Sequence, residues 1–135
     1  PEVARSVLRL FISRAEVSDA ELAEVARGAF DGFEEGVVPV VPVEVSPGRR
    51  VLVAELFRGP TLAFKDIGQQ TVCSLLDVFL RRKGGKAHVL VSTTGDTGPA
   101  AIAAVAARCD PSRVRVTVCF PQGRVSRLQR LQMTT

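Results

Sequence analysis

Tryptophan and tyrosine are absent from this 135-residue sequence, and histidine and methionine occur once each. With seven Phe as its only aromatic residues, the chain has little to stack on unpaired bases, which argues against nucleic acid as a partner. The three cysteines, Cys73, Cys109 and Cys119, are odd in number and show no CxxC spacing, so they do not form a disulfide framework. With His88 alone beside them they make a poor zinc set, and no metal is expected. A reduced, cytoplasmic setting is therefore expected, with Cys119, set in an apolar run, in the core. Organellar import stays open because the sequence begins with Pro rather than Met. No apolar run approaches the ~20 residues needed to cross a bilayer, and no basic-then-apolar signal segment is present, so no membrane partner is expected. A Walker A loop is also missing: Gly84-Gly85-Lys86 follows a predicted helix and lacks the Ser or Thr that would bind magnesium.

What is present is enough for one packed domain. The length matches a single domain, and 46% apolar residues exclude a wholly disordered chain. The net charge of +4 is unevenly spread: residues 81–135 carry ten basic and two acidic residues, against eight and twelve in 1–80. Such an excess suits a polyanion, a phosphorylated small molecule, or simply a solvated face.

The periodicity sets out the elements. Ser18 and Glu21 form a capping box, after which Leu22, Val25, Ala26 and Ala29 share one helical face. Residues 38–45 are β-branched, but Pro39 and Pro42 suit an edge or loop. Residues 50–57 read as a strand, and Pro47-Gly48 between the two makes a hairpin plausible. From Lys65 to about Arg82, apolar residues at 67, 72, 75, 76, 79 and 80 mark a long helix, stopped by Gly84-Gly85. Residues 87–93 are a nearly unbroken apolar strand, as in a buried parallel sheet. An Ala-rich helix with Pro99 in its first turn follows, then a strand over 113–120 and the start of another helix. The alternation from residue 50 predicts a doubly wound, mostly parallel α/β sheet, with residues 1–45 as a helical and edge segment before the α/β region 46–135.

Sheets of this kind bind ligands where strands end and helices begin. Two segments fit, "FRGPTLAFKD" (57–66) and "VSTTGDTGPAA" (91–101). In the second, small residues at 92–98 let backbone N–H groups approach a carboxylate or phosphate, which the helix dipole also favours. An ordinary strand-to-helix turn capped by Thr or Asp explains the same pattern. Lys65 follows Leu62, Ala63 and Phe64 at the start of a helix, where a cation is disfavoured. It is either a solvent-facing residue paired with Asp66, or an amine activated by apolar surroundings or neutralised as an imine.

The two segments together, in this order and about thirty residues apart, resemble the threonine synthase family of pyridoxal-phosphate enzymes, which have the tryptophan-synthase-β type of fold (fold-type II). The ending "FPQGRVSRLQRLQMTT" is similar to the segment that follows in that family, including its threonine synthase-like branch. The resemblance runs from about Ala15 to Thr135. It implies that Lys65 forms the internal aldimine with pyridoxal 5'-phosphate and moves protons between substrate carbons. It implies that Asp96 meets the cofactor's 3′-oxygen, and that Ser92, Thr93, Thr94, Gly95 and Thr97 receive the substrate carboxylate. Phe64 and Asp66 would pack or position. The loop reads "TTGDTG" where the family more often has "TSGDTG", a change that keeps a hydroxyl. The family's glycine-rich phosphate loop and the group at the pyridine nitrogen lie downstream, so the sequence reads as an internal fragment of a longer protein. The implied activity is elimination of phosphate from an O-phosphorylated hydroxy-amino acid such as O-phosphohomoserine, as a threonine synthase or a phospho-lyase. A serine/threonine dehydratase of the same fold and a non-catalytic binding or signalling homologue are the alternatives. Asp96 in place of the more widespread Asn argues against the dehydratase.

Overall fold

The computed structural model describes residues 1–33 and 36–135. The elements run α1 (Glu2–Arg9), α2 (Asp19–Phe30), β1 (Val40–Ser46), β2 (Arg49–Ala54), α3 (Lys65–Lys83), β3 (Ala87–Ser92), α4 (Thr97–Arg108), β4 (Val114–Cys119) and α5 (Arg127–Thr134). Helix α1 has no counterpart in the sequence reading.

Helix α2 starts where the capping box placed it. Ser18 Oγ accepts the Glu21 backbone N–H at 3.3 Å, and Glu21 Oε2 accepts the Ser18 N–H at 2.9 Å. Leu22, Val25, Ala26 and Ala29 are buried, as the spacing predicts. Burying Leu22 and Val25, both essentially inaccessible, contributes about 1.5–3 kcal/mol each. Helix α3 ends at Gly84, whose φ of 67° is left-handed and whose N–H donates to the Leu80 carbonyl at 2.9 Å.

The buried stripe of α3 differs from its apolar one. Asp66, Gln70, Cys73, Ser74 and Val78 are buried, whereas Val72 is 60% exposed and Phe79 37%. The cause is helix packing: this polar side meets α2 and α4, where Gln70 finds a partner, while Asp66 bonds Thr61 in the turn before α3. Arg108 of α4 donates from Nε to Gln70 Oε1 at 2.6 Å and from Nη2 to the Asp31 carbonyl at 2.8 Å. At the other end Arg81 and Arg82 pair with Glu24 and Glu21 of α2. The small residues Ala100, Ala101 and Ala104 let α4 approach closely.

Two separate two-stranded sheets form. Strands β3 and β4 pair in parallel, Ala87 opposite Val114 through Ser92 opposite Cys119, with α4 as the crossover. Strand β2, expected to begin the parallel alternation, instead pairs antiparallel with β1. Gly48, at φ 72°, closes this connection, and a turn that short leaves antiparallel pairing as the only geometry.

Strand β3 also departs from the buried strand expected. Its exposure alternates, and Leu90 is 71% exposed. Val89, Val114 and Val116 face the cluster of Cys73, Ala104, Val105 and Cys109. The opposite face carries His88, Leu90, Ser92, Arg115, Thr117 and Cys119, all exposed. Cys119, expected in the core, is therefore exposed. The strand register assigns it to the face that the described helices leave open. No helix among the described residues is long and apolar enough to cross a membrane.

Candidate functional site

Between β2 and α3 the chain turns through Gly59–Phe64, and Asp66 organises the turn. Asp66 is fully buried and accepts the Thr61 backbone N–H at 2.8 Å and the Thr61 hydroxyl at 2.7 Å. Gly59 lies against the same carboxyl group: a Cβ there would stand 2.5 Å from Asp66 Oδ2. Leu62 is the one described non-glycine residue with positive φ, at 61°, and its N–H donates to the Gly59 carbonyl at 3.0 Å. Backbone strain of this kind persists only where surrounding bonds fix it, and here Thr61, Asp66 and Gly59 do so.

That turn delivers Lys65 as the first residue of α3. Lys65 is half-buried, with Nζ 4.6 Å from the centre of the Phe64 ring. Beside it opens a cavity of about 610 Å³ lined by Leu56, Phe64, Lys65, Ile67 and Val72. The amine thus borders a largely apolar space large enough for a small aromatic ligand.

The second segment begins as β3 ends. Ser92 is the last residue of β3 and is exposed; Thr93 is buried, and its N–H extends the ladder to the Cys119 carbonyl at 3.0 Å. Thr93 Oγ1 accepts the Gly95 N–H at 3.0 Å, which closes the turn. Thr94 is exposed and Gly95 and Thr97 are half-buried. Asp96 stands at the N-cap of α4 in a helical conformation, and no side chain caps that helix. The N–H groups this leaves without a cap are those of Thr97 and Gly98, since Pro99 has none and the Ala100 N–H donates to the Asp96 carbonyl. Gly98 is required by contact: a Cβ there would lie 2.5 Å from Met133 Sδ and 2.8 Å from Thr93 Cγ2 and Val118 Cγ1.

Helix α5 joins the two segments, through residues the sequence reading did not single out. Gln129 Nε2 donates to Asp96 Oδ1 at 2.7 Å, and Gln132 Nε2 donates to the Thr61 carbonyl at 3.2 Å. The cavity at Lys65 is lined by Leu56, Phe64 and α3 residues from Lys65 to Val72, with none from the second segment, whereas α5 bonds to both the lysine turn and the Ser92–Thr97 turn. A readable signal existed in the Ser126-x-x-Gln129 capping box, whose reciprocal bonds are both present.

A primary amine at an apolar cavity, and an uncapped helix start in the neighbouring segment, are donors suited to a carbonyl cofactor and an anionic substrate. Among the described residues no group of three or more His, Cys, Asp and Glu could hold a metal ion.

No family model matches the chain. Threonine synthase of Saccharomyces cerevisiae is 36% identical over 143 residues, which cover 99% of this chain and 27% of the yeast protein. Threonine synthase-like 2 of Xenopus laevis is 36% identical over 135 residues, with the same coverage. The crystal structure of threonine synthase from yeast superposes with a TM-score of 0.86 at 34% identity, over 99% of this chain and 28% of that one. The pyridoxal-phosphate-bound threonine synthase of Brucella melitensis gives 0.79 at 39% identity, over 99% and 27%. The chain thus spans about a quarter of the length of the relatives it matches.

Proposed function

This chain belongs to the threonine synthase family and has the α/β fold of the matching part of those enzymes, and from that premise we propose that it carries the lysine and carboxylate-binding segments of a pyridoxal-phosphate-dependent lyase. The reaction is elimination of phosphate from an O-phosphorylated hydroxy-amino acid such as O-phosphohomoserine. Addition of water then makes it a threonine synthase, and its omission a phospho-lyase.

The observation that supports this most is the setting of Lys65. A turn locked by Thr61 and Asp66 presents the amine at an apolar cavity, and α5 links that turn to an uncapped helix start. When bound, pyridoxal phosphate supplies an electron sink for the carbanions of the reaction. Lys65 would hold the cofactor through Nζ, and its amine would be the group that takes up and returns protons at the substrate's carbon atoms. Ser92, Thr94 and Thr97 offer hydroxyls, and Gly95 and the first turn of α4 offer N–H groups, to the substrate carboxylate. Asp96 would hold the cofactor's 3′-oxygen through its carboxylate, which would bias where that oxygen's proton resides. Leu56, Phe64, Ile67 and Val72 give the space beside the amine an apolar lining.

Phosphate release from O-phosphohomoserine by the protein that carries this chain, with threonine and keto acid assayed as products, tests the reading. Turnover that survives Lys65→Ala would contradict it.

A further inference from the structure

Asp is among the strongest N-cap residues, yet Asp96 does not cap α4. Its backbone is helical, and its carboxylate is held from outside the helix by Gln129 Nε2 at 2.7 Å. Gln129 is itself tied to the start of α5 by its side chain and its backbone. Its Oε1 accepts the Ser126 N–H at 2.9 Å, while the Gln129 backbone N–H donates to Ser126 Oγ at 3.1 Å. With the oxygen committed to a donor, only the NH₂ end can face a carboxylate, which settles the amide's orientation. Gly95 leaves room for the contact: a Cβ there would stand 3.2 Å from Gln129 Nε2. One turn further along the same face, Gln132 reaches the Thr61 carbonyl, and Met133 fills the space beside Gly98.

We propose that Gln129 is a positioning residue: the helical backbone of Asp96 already keeps its side chain from capping α4, and Gln129 Nε2 fixes the direction of the freed carboxylate so that it faces the ligand. The proposal rests on the reading that Asp96 meets the cofactor. Loss of the Gln129 donor frees the Asp96 carboxylate to rotate out of that direction. The neighbouring Gln132 bond keeps the lysine turn in register with the repositioned one.

Gln129→Glu is the informative variant. A carboxylate at that place still accepts the Ser126 N–H, so the cap of α5 survives, but it meets Asp96 with a like charge. The double variant Asp96→Asn/Gln129→Glu restores one donor–acceptor pair with the roles exchanged. Chemical unfolding of the cofactor-free protein that carries the chain is expected to show about a fivefold drop in the folding constant for Gln129→Glu, and recovery to within about twofold in the double variant. In the cofactor-loaded protein that carries the chain, Gln129→Glu is expected to move the pH midpoint of the bound pyridoxal's absorbance. Ser126→Ala, which removes only the hydroxyl half of the cap, is expected to leave it in place. Additive effects in the cofactor-free cycle overturn the proposal whatever the spectra show, and so does a Ser126→Ala protein that shifts the midpoint as far as Gln129→Glu. A coupled cycle in a protein whose Lys65 takes up no pyridoxal phosphate overturns the cofactor reading, and reduces Gln129 to a structural brace.

Discussion

Asp66 holds Thr61 by both its backbone N–H and its hydroxyl, across five residues of sequence, and Lys65 sits immediately before the residue that makes this clamp. The carboxylate is fully buried, so removing it strands a buried N–H and an open space together. Asp66→Ala is expected to destabilise the chain by about 3 kcal/mol. Asp66→Asn keeps one acceptor and is expected to fall between, in urea unfolding followed by circular dichroism.

Gly59 and Gly98 are expected to resist even the smallest enlargement. The Cβ of Gly59→Ala would stand 2.5 Å from the Asp66 carboxylate, and that of Gly98→Ala 2.5 Å from Met133 Sδ. Overpacking of this kind costs about 1–3 kcal/mol. The Gly59 change is predicted to be the worse, since all its nearest atoms belong to the clamped Asp66, whereas at Gly98 Met133 can give way and leaves Thr93 Cγ2 and Val118 Cγ1 at 2.8 Å. Melting temperatures of the two variants test the order.

The cysteines are expected to react in an order the structure sets. Burial pushes the Cys109 thiol up to about 12, with a contribution from nearby Cys73, and burial likewise raises Cys73. Cys119 is exposed on the open face of the sheet. Iodoacetamide at neutral pH is therefore predicted to label Cys119 first and the other two only on unfolding. Peptide mapping that found Cys73 or Cys109 labelled in the folded chain would contradict the packing of α3 on α4.

An acid-dependent loss of stability is expected from the α2–α3 contact. Hydrogen bonds from Arg82, then from Ser18, hold Glu21 down to about 2 from its usual 4.5. A carboxylate lowered on folding gives stability that is complete above the usual value and is lost as pH falls through the lowered one. The window is thus about pH 4.5 to 2. Glu21→Gln keeps an acceptor for the Ser18 N–H and is predicted to flatten stability across that window, read as urea midpoints at several pH values.

Much of the fold was legible because local signals agree with it. The Ser18–Glu21 box, the helix starting at Lys65 and Gly84 at its end each follow from residues within one or two turns. The lysine and the Ser92–Thr97 turn were likewise readable as strand-to-helix segments. What sequence could not convey is which side of an element meets another. The polar stripe of α3 is buried with partners from elsewhere: Thr61 in the preceding turn bonds Asp66, and Arg108, 38 residues on, bonds Gln70 Oε1. Cys119 sits in an apolar run, yet period-two alternation turns it to the open face. The link from Gln129 to Asp96 spans 33 residues, beyond any local pattern.

The central claim is that Lys65 is the amine that binds pyridoxal phosphate. The chain holds three lysines, Lys65, Lys83 and Lys86, so the assignment can be read directly. The protein that carries this chain is loaded with pyridoxal phosphate, reduced with borohydride, digested with trypsin and analysed by mass spectrometry. The account predicts a pyridoxyl group on Lys65, seen as the uncut peptide Gly59–Arg81 and absent from Lys65→Ala. No adduct, or one confined to Lys83 or Lys86, would contradict it.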